Sequence, residues 1–325
     1  GRSHRRGLRG GDGVSGTSER ATIACLTGAG TAPELMAEAV RALDAVGRLH
    51  GLSFDEVHAP FGAAAVARGG QAFPAVTRDA VLASDAVLVA GAEEPALAEV
   101  MAELDLRARV TRVRFGQHDD VALVAPLDEE SSEWALERAF ELAERRRLRV
   151  ASVGDGAWPE LADEVAARYD HVHLEPLSPR VALPLAAFQA GRFDVVAVAH
   201  AWAEPLVEIV AAPATARVAA HALLAEHGPS LCVPSPDGGF AIAGHGIVNP
   251  SSMLLAAALV LEHGLGEPAA AATLAGAVSA ALVDGPQTPD LLRRGVGATS
   301  REFTARVVGG FQLSNRNAEF WAGAA

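Results

Sequence analysis

Short apolar runs alternating with amphipathic stretches set the pattern of this chain. Residues 21–26 (ATIACL) form one such run, ending at Thr27-Gly28-Ala29-Gly30, as a buried strand entering a glycine loop does. Pro33 then opens a helical stretch with Leu35, Ala39 and Leu43 on one face. Further strands are predicted at 53–59, 85–91, 121–125, 149–153, 171–175, 193–199 and 230–233. Between them, residues 132–147 carry Leu136, Ala139, Phe140 and Ala143 at helical spacing, and Pro159 starts a helix that runs to Tyr169. A Gly- and Pro-rich loop follows from Pro234 to Asn249, after which the pattern is helical at 250–263, 268–283 and 300–308. Strands alternating with helices predict an α/β fold on a mostly parallel sheet, with the last helices packing back on the first strands. No internal repeat is present.

Composition sharpens this picture. Half of the residues are apolar but only 5 % are aromatic, so the core must be built from Ala, Val and Leu, as in buried parallel strands. A length of 325 residues suffices for two domains. The net charge of −13 argues against a nucleic-acid partner, because phosphate binding needs a basic surface. No apolar run reaches the ~18 residues of a membrane span. The longest, Met253–Leu261, is bounded by Pro250 and His263. No membrane partner is therefore expected, and the balance is that of a cytoplasmic protein. Cys25 and Cys232 lie far apart in apolar surroundings, outside any CxxC, and read as buried free thiols in a reducing compartment. In the first 20 residues Arg2, Arg5, Arg6 and Arg9 alternate with Gly and Ser without the amphipathic repeat of a transit peptide. This segment reads as a disordered basic tail.

Three stretches together resemble the isocitrate and isopropylmalate dehydrogenase family, the metal-dependent β-decarboxylating dehydrogenases. Leu26-Thr-Gly-Ala-Gly-Thr-Ala-Pro-Glu34 is similar to the family's opening LPGDGIGPE, and Ala243-Gly-His-Gly-Ile-Val-Asn-Pro250 to its AGKGIANP adenine-binding loop. Gln287-Thr-Pro-Asp-Leu291, with Ala298-Thr-Ser-Arg-Glu-Phe303 after it, is similar to RTPDL followed by a T-x-E-F helix. The resemblance implies two α/β domains with a cleft between them. One would comprise residues 21–96 with 215–325, on the nucleotide side. The other, central and dimer-forming, would comprise 97–214. It also implies NAD or NADP and Mg²⁺ or Mn²⁺ as cofactors, with Gly244, Gly246 and Asn249 at the cofactor loop. Because family sites draw residues from two subunits, a dimer is implied as well.

The charged groups of the family reaction are largely absent. A dianionic 2-hydroxy acid needs bidentate guanidinium partners, and the family's three Arg positions fall on Met101, Thr111 and Pro126. Arg109 and Arg112 lie near the second of these but out of step. The family Tyr segment is missing between Pro126 and Ser132, and the single Tyr, Tyr169, is predicted on a helix elsewhere. The family Lys falls on Asp155, the chain contains no Lys at all, and a partner Asp falls on Arg180. Glu204 and Glu208 stand where the family carries two metal-binding Asp. Four residues apart on a helix, they share a face and could reach one cation. The plainer alternative is an exposed acidic pair. At the cofactor loop the ribose-reading position falls on Ala241, so strong discrimination between NAD and NADP is not expected. Asp237 could substitute after a shift of the loop, and His245 reads as a solvent-facing loop residue.

Two functional readings follow. The first is a divergent family member without oxidative decarboxylation activity, a pseudoenzyme acting as a non-catalytic or regulatory subunit. It would be a homodimer or a heteromer with an active paralogue, possessing or lacking the nucleotide. The second is an active NAD(P)-dependent oxidoreductase with a rebuilt site that uses a different 2-hydroxy acid, with Arg109, Arg112 or Arg180 holding the anion.

Overall fold

The computed structural model describes residues 20–91, 94–114, 120–211, 219–235, 240–292 and 296–322. Apart from Arg20, the expected basic tail lies outside them. Among the described residues ten strands join one sheet: β1 (Ala21–Thr27), β2 (Phe54–Pro60), β3 (Ala86–Ala90), β4 (Leu106–Arg114), β5 (Asp120–Pro126), β6 (Arg149–Val153), β7 (His173–Leu177), β8 (Val195–Val198), β9 (Ala219–Ala225) and β10 (Ser230–Ser235). Their order is β2-β1-β3-β10-β9-β4-β5-β8-β6-β7. The outer wings, β2-β1-β3-β10 and β5-β8-β6-β7, are parallel within themselves. β9 and β4 pair antiparallel with each other and with their outer neighbours, which makes the centre of the sheet antiparallel.

Among the described residues the helices are α1 (Ala32–His50), α2 (Gly62–Gly69), α3 (Ala75–Ala83), α4 (Glu94–Glu103), α5 (Ser132–Glu144), α6 (Trp158–Ala166), α7 (Pro179–Gln189), α8 (Ala203–Ala211), α9 (Ser251–Leu259), α10 (Pro268–Asp284) and α11 (Ser300–Ala322). None is long and apolar enough to cross a membrane. The helix expected at 250–263 is α9, which widens into a π-turn at Val260–Gly264. Two expectations shift. The strand predicted at 171–175 forms two residues later, and α6 ends at Ala166, so Tyr169 sits in the following turn, stacked on Phe140 at 5.1 Å.

Period-two alternation along each strand sends side chains to opposite faces. On one face a continuous core runs under both wings, covered by α1, α5, α6, α9, α10 and α11. On the other face the core divides. Ala24, Leu26, Val87, Val89 and Leu231 pack with α3 and α4 on one side, and Leu123, Ala125, Val196 and Val198 pack with α7 and α8 on the other. Val113 of β4 and Leu223 of β9 join these patches, and between them the same face carries the polar residues Arg109, Thr111 and His221. Thr111 is buried there, and α8 lies against β4 along this polar strip, the furrow between the two patches.

Candidate functional site

The furrow is organised by cross-strand pairing. Thr111 and His221 stand directly opposite each other on β4 and β9, and Thr111 Oγ1 lies 2.9 Å from His221 Nδ1. Burial pushes the His221 imidazole down to about 4, the nearby Arg109 guanidinium pushes the same way, and Glu204 opposes both. His221 is therefore neutral at pH 7. Arg109, two residues before Thr111 on the same face of β4, pairs with the Glu204 carboxylate from the first turn of α8.

Beside this cluster lie the C-terminal ends of β5, β6 and β8, the edge at which α/β sheets hold ligands. His200 Nδ1–H donates to the Pro126 carbonyl at 3.1 Å, which fixes the ring and leaves Nε2 as its other nitrogen. Trp202 Nε1–H donates to Asp155 Oδ1 at 3.3 Å. Asp128 accepts from the Ser131 amide and hydroxyl; these bonds, with the charges of Arg107 and His200, hold its carboxyl below the usual range. The residues expected at the family's substrate- and proton-handling positions have structural duties here. Thr111 binds His221, Pro126 binds His200, Asp155 binds Trp202, and Met101 packs in the apolar patch with α4. Arg180 is exposed at the start of α7.

Glu204 and Glu208 are both exposed on α8, as their spacing requires, but Glu204 is committed to Arg109. Among the described residues no group of three or more His, Cys, Asp or Glu side chains gathers where one ion could be shared. A hard divalent cation needs several oxygen ligands. Here one of the two carboxylates already neutralises a guanidinium, so these residues do not fit a resident metal.

A second cluster joins the three separated sequence motifs. Glu34, in the first turn of α1, accepts from the Gly244 amide at 3.2 Å and from the Gly246 amide at 2.7 Å. The loop reaches this geometry because Gly244 and Gly246 take φ of 79° and 63°, open to glycine at little cost. Asn249 is fully engaged in the fold. Its amide donates to Asp290 at 2.8 Å and its Nδ2 to Thr288 Oγ1 at 2.9 Å, while its Oδ1 accepts from the Ser251 amide and hydroxyl. Ser300 closes the ring, donating from its amide to the Gly246 carbonyl at 2.8 Å and from its hydroxyl to the Val248 carbonyl at 2.6 Å. The loop amides that would face a nucleotide thus meet a carboxylate of the same chain. Asp237 lies outside the described residues, and His245 is exposed.

His221, His200 and the Glu34 clamp were not singled out from the sequence. For His221 a signal existed: one polar residue in the apolar run Ala219-Ala-His-Ala-Leu-Leu-Ala225.

Sheet order, divided core and converging motifs define a β-decarboxylating dehydrogenase type of fold. The isocitrate/isopropylmalate dehydrogenase family model matches residues 22–112 and 218–307, more than half of the chain, and the protein belongs to that family. The 3-isopropylmalate dehydrogenase of Streptococcus thermophilus (strain CNRZ 1066) is 28 % identical, covering 88 % of this chain and 98 % of the relative. That of Bacillus anthracis is 29 % identical over 88 % of this chain and 95 % of its own length. Among solved structures, isocitrate dehydrogenase from Methylococcus capsulatus superposes with a TM-score of 0.76 at 22 % identity, covering 90 % of this chain and 99 % of that one. A β-decarboxylating dehydrogenase from Thermococcus kodakarensis gives 0.77 at 21 % identity, over 90 % and 96 %. At such identities the structural likeness speaks to the fold alone.

Proposed function

We propose that this family member does not perform metal-dependent oxidative decarboxylation and acts instead as a non-catalytic or regulatory subunit in the cytoplasm, as a homodimer or beside an active paralogue. One observation carries the reading. The Glu204 carboxylate, at a family metal position, is neutralised by Arg109, which shares a face of β4 with Thr111, the residue at a family substrate-binding Arg position. The site's positive and negative groups satisfy each other where the family reaction needs one to hold a metal and the other an anionic substrate. Purified protein given isopropylmalate, isocitrate or tartrate with Mn²⁺ and NAD or NADP is expected to form no reduced nicotinamide above background. Its thermal midpoint is expected to stay unchanged on adding Mn²⁺. Turnover at enzyme-like rates on any of these would end the proposal.

The orientation of His200 favours a second reading, an oxidoreductase acting on a different 2-hydroxy acid. An imidazole fixed through Nδ1 presents Nε2 as the ring atom that would handle a hydroxyl proton. A cofactor-dependent thermal shift with a hydroxy acid outside that panel, lost in His200→Gln, would favour this second reading. NAD or NADP would first have to displace Glu34 from the Gly244 and Gly246 amides.

A further inference from the structure

The other face of β4 holds a feature that the Arg109–Thr111–His221 cluster does not use. Arg112 points away from Thr111, into a cavity of about 270 Å³ between the end of α5, the π-turn and α10. One side of the cavity is hydrocarbon, from Leu255, Leu259, Pro268 and the alanines of α10. The other side carries Arg112, Arg145, Arg146, Asp120 and Glu262.

Two of the three guanidinium groups are committed. Arg112 donates from Nε to Asp120 at 2.7 Å and from Nη1 to Glu262 at 2.7 Å. Arg146 donates from Nε to Asp194 at 2.7 Å and from Nη2 to Asp120 at 3.0 Å. Arg145 differs: among the described residues its side chain makes no hydrogen bond and no ion pair, and only the longer-range field of its charge reaches Glu141 and His263. Its five N–H donors stand at the rim of the recess, between the ion-paired side and the hydrocarbon side. The π-turn that supplies Glu262 is an irregularity of the type that recurs at functional positions. It packs tightly on the sheet at Gly264, where a Cβ would come within 2.5 Å of the Ala86 Cβ.

We infer that this cavity binds a small aliphatic monocarboxylate, its head on the Arg145 guanidinium and its chain against Leu255, Leu259 and α10. The charge pattern selects the class. One free guanidinium matches one negative charge, while Arg112 and Arg146 are already neutralised by Asp120, Glu262 and Asp194 and leave no second cation for a dianion such as phosphate. The volume falls below the ~300–1,000 Å³ of pockets for drug-sized ligands, so the guest is small. The inference does not depend on whether the site on the other face of β4 is catalytic.

Hexanoate, hexanamide and inorganic phosphate are the probes, titrated against the full chain with the thermal midpoint as readout. Two variants accompany the wild type: Arg145→Ala, and Ala272→Trp, which fills the recess from an exposed rim position. Both change exposed residues, so both should fold with midpoints near that of the wild type. Hexanoate is expected to raise the wild-type midpoint in proportion to the logarithm of its concentration, and hexanamide and phosphate to leave it unchanged. Each variant should weaken the hexanoate dissociation constant at least tenfold. No stabilisation by hexanoate, or stabilisation untouched by both variants, overturns the site. A phosphate shift as large as that of hexanoate, or an equal response to hexanamide, overturns the ligand class.

Discussion

Acidification from pH 7 to pH 5 should destabilise this protein through His221, by an amount the furrow geometry sets. In the unfolded chain an imidazole titrates near its ordinary value of 6.5, whereas in the folded furrow burial and Arg109 hold His221 at about 4. The folded state therefore refuses a proton that the unfolded state takes up, and stability must fall as pH drops through the window between 6.5 and 4. Proton linkage with these two values gives about 2 kcal/mol lost between pH 7 and pH 5. Urea unfolding followed by tryptophan fluorescence, at both pH values, measures it. The informative comparison is His221→Gln, which keeps a polar partner for Thr111 but cannot titrate. Carboxylates contribute equally in both proteins, so the wild type should lose about 2 kcal/mol more than the variant over the same interval. Equal losses would refute the argument, because they would mean that His221 is as free to protonate in the fold as in the unfolded chain. His263, also buried and held at about 4, should behave alike, and the double variant should be less pH-sensitive still.

Two further outcomes are expected. Asn249→Ala removes the side-chain bonds to Thr288 and Ser251 and should cost about 2–3 kcal/mol in chemical denaturation without any ligand present, which a residue devoted only to a cofactor would not. Cys25 and Cys232 are fully buried and burial raises both thiols, Cys25 to about 12, so an aromatic disulfide reagent should label neither in native protein and both at the rate of unfolding in urea.

Part of this molecule is legible in the sequence because local chemistry and fold agree. The apolar runs at β1, β3 and β8 are flanked on both faces by core, and a strand buried on both sides announces itself by composition. β9 escapes such a reading because Ala-Ala-His-Ala-Leu-Leu-Ala suits a helix as well as a strand. β4 escapes it because its arginines read as binding groups, although they alternate along a strand. The spacing of Glu204 and Glu208 correctly places both on one helix, α8. It could not reveal that Arg109, 95 residues earlier, would claim the first of them.

The sequence by itself determined the family and the α/β layering, because glycine loops, helix-opening prolines and apolar periodicity act over a few residues at a time. It also determined which family charges are missing, since a replaced side chain needs no coordinates to be recognised. Only the tertiary structure decided what the remaining charges do. Glu34 reaches the Gly244 and Gly246 amides across more than 200 positions, Arg109 meets Glu204, and Arg112 and Arg145 meet at a cavity behind the sheet. Hydrogen bonds and ion pairs depend on distances of a few ångströms, and sequence separation carries no information about those.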